Sequence, residues 1–192
     1  ILGLGYDTVR SNYRNLLQKV IDNRWFGLVI KPKQPLSIRR WLGPVAELLQ
    51  RAESTGRCHV YEETDGIHGA HSPAQAALSA DVAVHTHLWP GTAGMEAAFA
   101  NVPSLLLDTS GWPESPLYRL GEGNVVFTSM DDLWEACVRN WSTPGAIPDF
   151  GEWTPLLDEL DPFRDGRAAE RLGDYVKCLL DGFRDCQERG TV

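Results

Sequence analysis

The chain has 192 residues, of which 43% are hydrophobic and 23% are charged, a composition that is typical of a globular domain and excludes a low-complexity chain. Its net charge of −8 comes mainly from residues 131–192, which hold 14 acids and 7 bases, and no basic stripe favours a nucleic-acid partner. No apolar run is long enough to cross a bilayer, and we expect no signal peptide before the first predicted element.

Short apolar runs alternate with helical patterns along the chain. Each run is rich in leucine or β-branched residues and ends at a turn signal, which is typical of strands in a parallel sheet covered on both faces. The predicted strands are, in order, ILGLG, FGLVIKPK, CHVYEE, DVAVH, PSLLLD and NVVFT.

Local capping signals place the helices between these strands. Ser37 and Gly56 mark the ends of one helix, which Pro44 is expected to kink or delay. The segment Ser72-Pro73-Ala74-Gln75 has the form of a capping box and predicts a helix that runs to about Ala80. Further helical patterns are YRNLLQKVIDNRW, LWEACVRNW after Ser129, and a long helix over about 164–186 with an apolar stripe at Leu172, Val176, Leu179, Leu180 and Phe183.

The stretch VHTHLWPGTAGMEAA, residues 84–98, carries the strongest indication of a ligand site. In an open α/β sheet of strand order 3-2-1-4-5-6, ligands bind beyond the carboxyl ends of the first and fourth strands. The turn Gly91-Thr92-Ala93-Gly94 follows the predicted fourth strand and opens a helix, whose N–H groups and dipole suit a phosphate. Glu96 then lies where a carboxylate can accept hydrogen bonds from ribose hydroxyls. The alternative is a tight turn with a glutamate that only complements the helix dipole.

The segment ADVAVHTHLWPGTAGMEAAFANVPSLLLD resembles the donor-binding half of GT-B glycosyltransferases. Members of that family have a strand, a turn rich in small residues, a helix that begins with a glutamate, a Gly-x-Pro element and another apolar strand. Here Asn101-Val102-Pro103 replaces Gly-x-Pro. FGLVIKPK is similar to the family's second strand, and DPFRDGRAAERLGDYVKCLLDGF looks like the closing helix of its bacterial surface-polysaccharide enzymes.

The resemblance implies an α/β fold with a Rossmann-like parallel sheet that forms the C-terminal half of a GT-B architecture. Residues 1–163 would form the nucleotide-sugar-binding domain, and residues 164–192 a C-terminal helix that packs on it or on a missing N-terminal domain. The chain begins at Ile1 and is expected to be a piece of a longer enzyme, inactive alone because the acceptor-binding domain usually supplies the catalytic base.

The implied partners are a nucleotide sugar, the glycan acceptor and the missing domain. The donor is a substrate, so no cofactor is expected, and enzymes of this class generally need no catalytic metal. The resemblance also implies a cytoplasmic protein that assembles peripherally at the inner face of the membrane and takes part in capsular polysaccharide biosynthesis.

By matching positions, the resemblance assigns the phosphate to Gly91, Thr92, Ala93, Gly94 and Lys31, and the ribose to Glu96. Other candidates for contact with the donor are Lys33, beside Lys31, and Glu62, at the edge of the nucleobase. Trp89, Asp108 and Trp112 are candidates for the walls of the cleft. Each has a structural alternative: the lysines and the acidic loop that contains Glu62 can be solvated, and the tryptophan rings can pack as part of a lid.

All five histidines fall between residues 59 and 87, which raises the question of a metal site. His85 and His87 are expected to point to opposite faces, and no set of acids or thiolates completes a zinc site. We therefore expect no metal, and we assign His85 and His87 as candidate contacts to the donor sugar or phosphate.

Two other functions remain open at this stage. One is an enzyme of the UDP-N-acetylglucosamine 2-epimerase type, which shares the fold. The other is a non-catalytic module that binds nucleotide sugars or acts as a scaffold in polysaccharide assembly.

Overall fold

The computed structural model describes residues 6–34, 37–62, 71–88, 91–109 and 111–184. The chain divides into two compact units, one ending at Thr154 and the other beginning at Pro155. The predicted division at residue 163 stays a prediction, and the predicted first strand, ILGLG, lies outside the described residues.

The strands form two parallel sheets. Strands β1 (Leu28–Ile30) and β2 (Cys58–Val60) pair with each other, with Val29 opposite His59. Strands β3 (Ala83–His85), β4 (Ser104–Leu107) and β5 (Val126–Phe127) make a second sheet with β4 at its centre. The prediction of an α/β fold with parallel strands is therefore confirmed. The structure has two sheets where the sequence predicted one. Each strand is shorter than its apolar run, because a strand extends only as far as it pairs with a neighbour.

The first sheet packs against helices that precede and separate its strands. Helix α1 (Tyr6–Asp22) and helix α3 (Ala46–Ser54) contact each other and cover the sheet. Their shared core includes Leu17, Val20, Leu49, Ile30 and Val60.

Pro44 interrupts the helical segment between β1 and β2, as predicted. Helix α2 (Ile38–Leu42) ends in a 3-10 turn at Gly43–Val45, and α3 follows it. The expected cap at Ser37 is not formed, because the Ser37 hydroxyl donates to the Gln34 carbonyl at 3.1 Å. Gly56 ends the segment after α3 as predicted.

Helix α4 (Pro73–Ala77) starts with the predicted capping box. The Gln75 N–H donates to the Ser72 hydroxyl, and the Ser72 N–H donates to the Gln75 side chain. The helix is one turn shorter than expected. Ser79 donates its hydroxyl to the Ala76 carbonyl, and this local bond competes with a further helical turn.

Strand β4 is buried on both faces, and its alternate residues meet different layers. Leu105 and Leu107 pack with helix α6 (Met130–Ser142), which Ser129 caps as predicted. On the opposite face, Ser104 and Leu106 meet helix α5 (Thr92–Phe99). Because neither face of β4 is exposed to solvent, a helix packs on each face.

Helix α1 also reaches the second sheet. The Asn15 amide donates to the Asp131 carboxylate at 3.1 Å, and Leu16 packs against the core beneath β4. An aromatic cluster at the end of α1 strengthens this contact, with Lys19 over the ring of Trp134. The rings of the cluster are those of Trp25, Phe26, Trp134 and Trp141.

The second unit contains most of helix α7 (Thr154–Leu160) and helix α8 (Ala168–Arg184). Helix α8 begins later than predicted because Arg164 has a left-handed φ of 44° and pairs with Asp158. The predicted stripe is present on α8, and its side chains are exposed. Among the described residues, no helix is long and apolar enough to cross a membrane.

Trp153 gives the clearest test of the core on the α5 side of β4. Its side chain is 1% exposed and its indole N–H donates to the Ser104 carbonyl at 2.8 Å. Trp153→Phe removes that donor and leaves a small cavity, so the free energy of unfolding should fall by about 1–3 kcal/mol. Urea denaturation measures it, with the exposed Trp141→Phe as the control that should change by less than about 0.5 kcal/mol. Equal losses for the two variants would contradict this packing.

Candidate functional site

Helix α5 begins just beyond the carboxyl end of β3, and its N-cap residue has no side chain that could cap the first turn. Gly91 is the N-cap residue, and the first helical hydrogen bond runs from the Met95 N–H to the Gly91 carbonyl at 3.1 Å. The N–H groups of Thr92, Ala93 and Gly94 precede that bond. Within the described residues, no side chain forms a hydrogen bond with these N–H groups.

Glycine is required at position 91 for two reasons. Its φ of 71° is left-handed, a conformation that other residues rarely adopt. A Cβ there would also lie 3.0 Å from Cδ1 of Leu117 and 3.2 Å from the Leu88 carbonyl oxygen. Gly91 therefore marks a point where the end of β3, the start of α5 and the loop after β4 converge.

Gly94 faces the sheet. A Cβ at this position would lie 3.0 Å from Cδ2 of Leu106, 3.3 Å from Oγ of Ser104 and 3.4 Å from the ring of Trp153. Close packing of α5 on β4 accounts for this glycine without a ligand, while its backbone N–H still belongs to the first turn.

Glu96 lies in the second turn of α5, one turn beyond the exposed Thr92. Its side chain is half-buried, and its carboxylate makes no hydrogen bond or ion pair in the part of the chain that the structure describes. The first turn contains no acid, so Glu96 does not act as a capping residue. The site thus has an unused acceptor one turn away from a set of backbone donors.

His85 and His87 lie close together, which corrects the expectation that they point to opposite faces. The expectation was wrong because residues i and i+2 of a strand point to the same face, and the two ring centroids are 5.7 Å apart. Burial, with a smaller effect of His87, lowers the pKa of His85 to about 4. Burial also lowers the pKa of His87. Both rings are therefore neutral at pH 7, and each offers one N–H donor.

The described residues contain no cluster of side chains that could bind a metal ion. No group of three or more histidine, cysteine, aspartate or glutamate side chains is arranged among them to hold an ion.

Asp108 organises the loop that follows β4. Its carboxylate is 3% exposed and accepts the backbone N–H groups of Gly111 at 3.0 Å and Trp112 at 2.9 Å. It also accepts the Tyr118 hydroxyl at 2.8 Å. Burial and this hydrogen bond raise the pKa of Tyr118 to about 12, so the phenol keeps its proton at neutral pH. The sequence indicated Asp108 only as a wall of the cleft.

The sheet register brings the ends of β3 and β4 to one edge. His85 pairs with Leu106, so His87 and Asp108 each lie two residues past the last paired position. The neutral histidines, the start of α5 and the Asp108 loop therefore share the carboxyl edge of the three-stranded sheet.

The remaining predicted site residues belong to the two-stranded sheet. Lys31 is half-buried after β1 and its ammonium donates to the Pro32 carbonyl at 3.4 Å, whereas Lys33 is exposed. Glu62 forms an ion pair with Arg39, which also binds Glu53 with two hydrogen bonds. The carboxylate of Glu62 thus already has a cationic partner. Trp89 lies outside the described residues.

No model of a protein family, no curated protein and no solved structure matches this chain. Functional interpretation of the site therefore rests on its own geometry and on the resemblance in its motifs.

The burial of His85 as a neutral ring predicts a pH-dependent stability. Its pKa of about 4 in the folded protein lies below the ordinary value near 6.5, so the unfolded chain binds an extra proton between these values. The free energy of unfolding therefore decreases as the pH falls from about 6.5 to about 4, and His85 does not change it at higher pH. Between about pH 7.5 and pH 5, the parent should lose about 1–2 kcal/mol more than His85→Gln.

Chemical denaturation at both pH values measures this difference. His59→Gln, at an exposed position on β2, is the control and should follow the parent. A parallel loss in the parent and in His85→Gln would show that His85 is not buried as a neutral ring.

Proposed function

We propose that this chain is the donor-binding domain of a GT-B glycosyltransferase, which moves a sugar from a nucleotide-activated donor to a surface glycan. The observation that carries the proposal is the uncapped first turn of α5 at the carboxyl edge of the sheet, with the unpaired Glu96 carboxylate one turn further on.

The first turn of α5 has the chemistry that binds a phosphate. Three backbone N–H groups and the exposed Thr92 hydroxyl are donors, and the positive end of the helix dipole favours an anion. His85 and His87 can add neutral N–H donors from the end of β3. This combination stabilises a nucleotide leaving group without a metal ion.

Glu96 has the chemistry that binds a ribose. One helical turn rises about 5.4 Å, which is comparable with the separation between the phosphate and the ribose hydroxyls of a nucleotide. A half-buried carboxylate without an internal partner gains most from two vicinal hydroxyl donors. Phosphate on the turn and ribose on Glu96 therefore use both the N–H donors of this helix end and its carboxylate acceptor.

The strand orders support a Rossmann-like arrangement of the GT-B type. Strands β1 and β2 correspond to the second and third strands of the order 3-2-1-4-5-6, and β3, β4 and β5 correspond to the fourth to sixth. The proposed order places a first strand between β1 and β3. The site at the end of β3 then lies at the switch point of the sheet.

In this proposal, the catalytic base and the acceptor glycan belong to a second domain. The present chain binds the donor and does not transfer the sugar by itself. The complete enzyme works on the cytoplasmic side of the membrane, where nucleotide sugars are the donors for surface polysaccharide.

A non-catalytic scaffold is the second candidate function. The exposed apolar stripe on α8 favours it, because such a stripe suits contact with another protein. An enzyme of the 2-epimerase type uses the same donor site, and product analysis of the complete protein separates it from a transferase.

The roles of Glu96 and Thr92 are tested by calorimetric titration with UDP-, CMP-, CDP- and GDP-linked ligands. Glu96→Gln replaces a charged acceptor by a neutral group, so affinity should fall about ten- to a hundredfold, since hydrogen bonds to charged groups contribute about 1.5–3 kcal/mol. Thr92→Val should weaken binding less, because the backbone donors remain.

The matched control is Glu47→Gln, which changes an exposed acid in the first turn of α3 and should bind as the parent does. All variants should keep melting temperatures near that of the parent. If Glu96→Gln unfolds much earlier but binds equally well, Glu96 is a structural residue and the assignment of the ribose is wrong.

A further inference from the structure

The loop after β4 is tethered at both ends by specific contacts. Near its start, the buried Asp108 carboxylate accepts the N–H groups of Gly111 and Trp112, and near its end the same carboxylate accepts the Tyr118 hydroxyl. The Ser115 N–H donates to the Trp112 carbonyl at 3.1 Å and closes a turn between these tethers. The backbone at Trp112 is therefore fixed relative to the end of β4.

The same loop packs directly on the start of α5. Cδ1 of Leu117 lies 3.0 Å from the position that a Cβ on Gly91 would occupy. Gly91 is the N-cap residue, so the loop contacts the N-terminal end of α5, whereas Glu96 lies one turn into the helix.

This order of groups matches the order of parts in a nucleotide sugar. With ribose on Glu96 and phosphate on the first turn of α5, the next group along the donor is the sugar to be transferred, and it continues toward the loop. The same loop contains a large ring, since Trp112 keeps 37% of its surface exposed while its backbone is held by Asp108.

We propose that the indole ring of Trp112 is the surface against which the transferred sugar stacks, and that Asp108 is the residue that positions it; this inference rests on the proposed donor site. One face of a pyranose ring carries C–H groups, and the electron-rich face of an indole attracts them while excluding water. Trp112 thus contributes to the choice of sugar, and the first turn of α5 with Glu96 contributes to the binding of the nucleotide.

The test compares each bare nucleotide with its sugar conjugate by calorimetry, using UDP and UDP-glucose, GDP and GDP-mannose, and CMP and CMP-N-acetylneuraminate. For the pair that binds, Trp112→Leu should weaken the conjugate about two- to tenfold and leave the bare nucleotide unchanged. Trp112→Phe keeps an aromatic face and should retain most of the affinity. Trp141→Leu is the matched control, because Trp141 is also 37% exposed but belongs to the aromatic cluster between α1 and α6.

The positioning role of Asp108 is tested with Tyr118→Phe, which removes one tether and keeps the ring. This variant should reduce the affinity for the conjugate in the same direction as Trp112→Leu, and again spare the bare nucleotide. Unchanged conjugate binding by Trp112→Leu, or an equal loss for nucleotide and conjugate, would overturn the inference while leaving the nucleotide site intact. Failure of the parent to bind any nucleotide would overturn the proposed function itself.

Discussion

The close approach of α5 to β4 is the constraint on which the rest of the structure depends. Strand β4 is buried on both faces, so it needs a helix layer on each side, and Gly94 lets α5 lie against Leu106 and Ser104. Trp153 fills the remaining space and bonds to the same strand. With α5 held at this distance, its first turn is fixed at the carboxyl edge of the sheet, where a ligand can reach it.

The candidate site is built from neutral donors. The backbone N–H groups of α5 carry only the partial charge of the helix dipole, and the half-buried histidines are uncharged at neutral pH. In the described part of the chain, the buried carboxylate of Asp108 accepts hydrogen bonds from Gly111, Trp112 and Tyr118, and it thereby orders the loop. In the proposed site, the preorganised donors bind an anion and Glu96 supplies an acceptor.

Local features of the fold could be predicted from the sequence, whereas contacts between distant residues could not. The caps at Ser72 and Ser129 and the break at Pro44 depend on hydrogen bonds or ring geometry within a few residues. The ends of the strands depend on pairing with a neighbouring strand, which local sequence does not show, so β3 ends at His85. The expectation that the two histidine rings point to opposite faces was an error in applying the two-residue period of a strand. Asp108 and Tyr118 are joined across ten residues, and no local pattern indicates that bond. The phosphate and ribose assignments remain predictions.

The central claim is that the first turn of α5 binds the phosphate of a nucleotide, and amide chemical shifts measure this directly. With ¹⁵N-labelled protein and a nucleotide from the UDP, CDP, GDP and CMP series, we expect the largest shift changes at the N–H groups of Thr92, Ala93 and Gly94, since these donors would form hydrogen bonds to the phosphate. The amides of β1 and α3 should change little. Saturable shift changes that leave these three amides unaffected and concentrate in another part of the chain would contradict the claim.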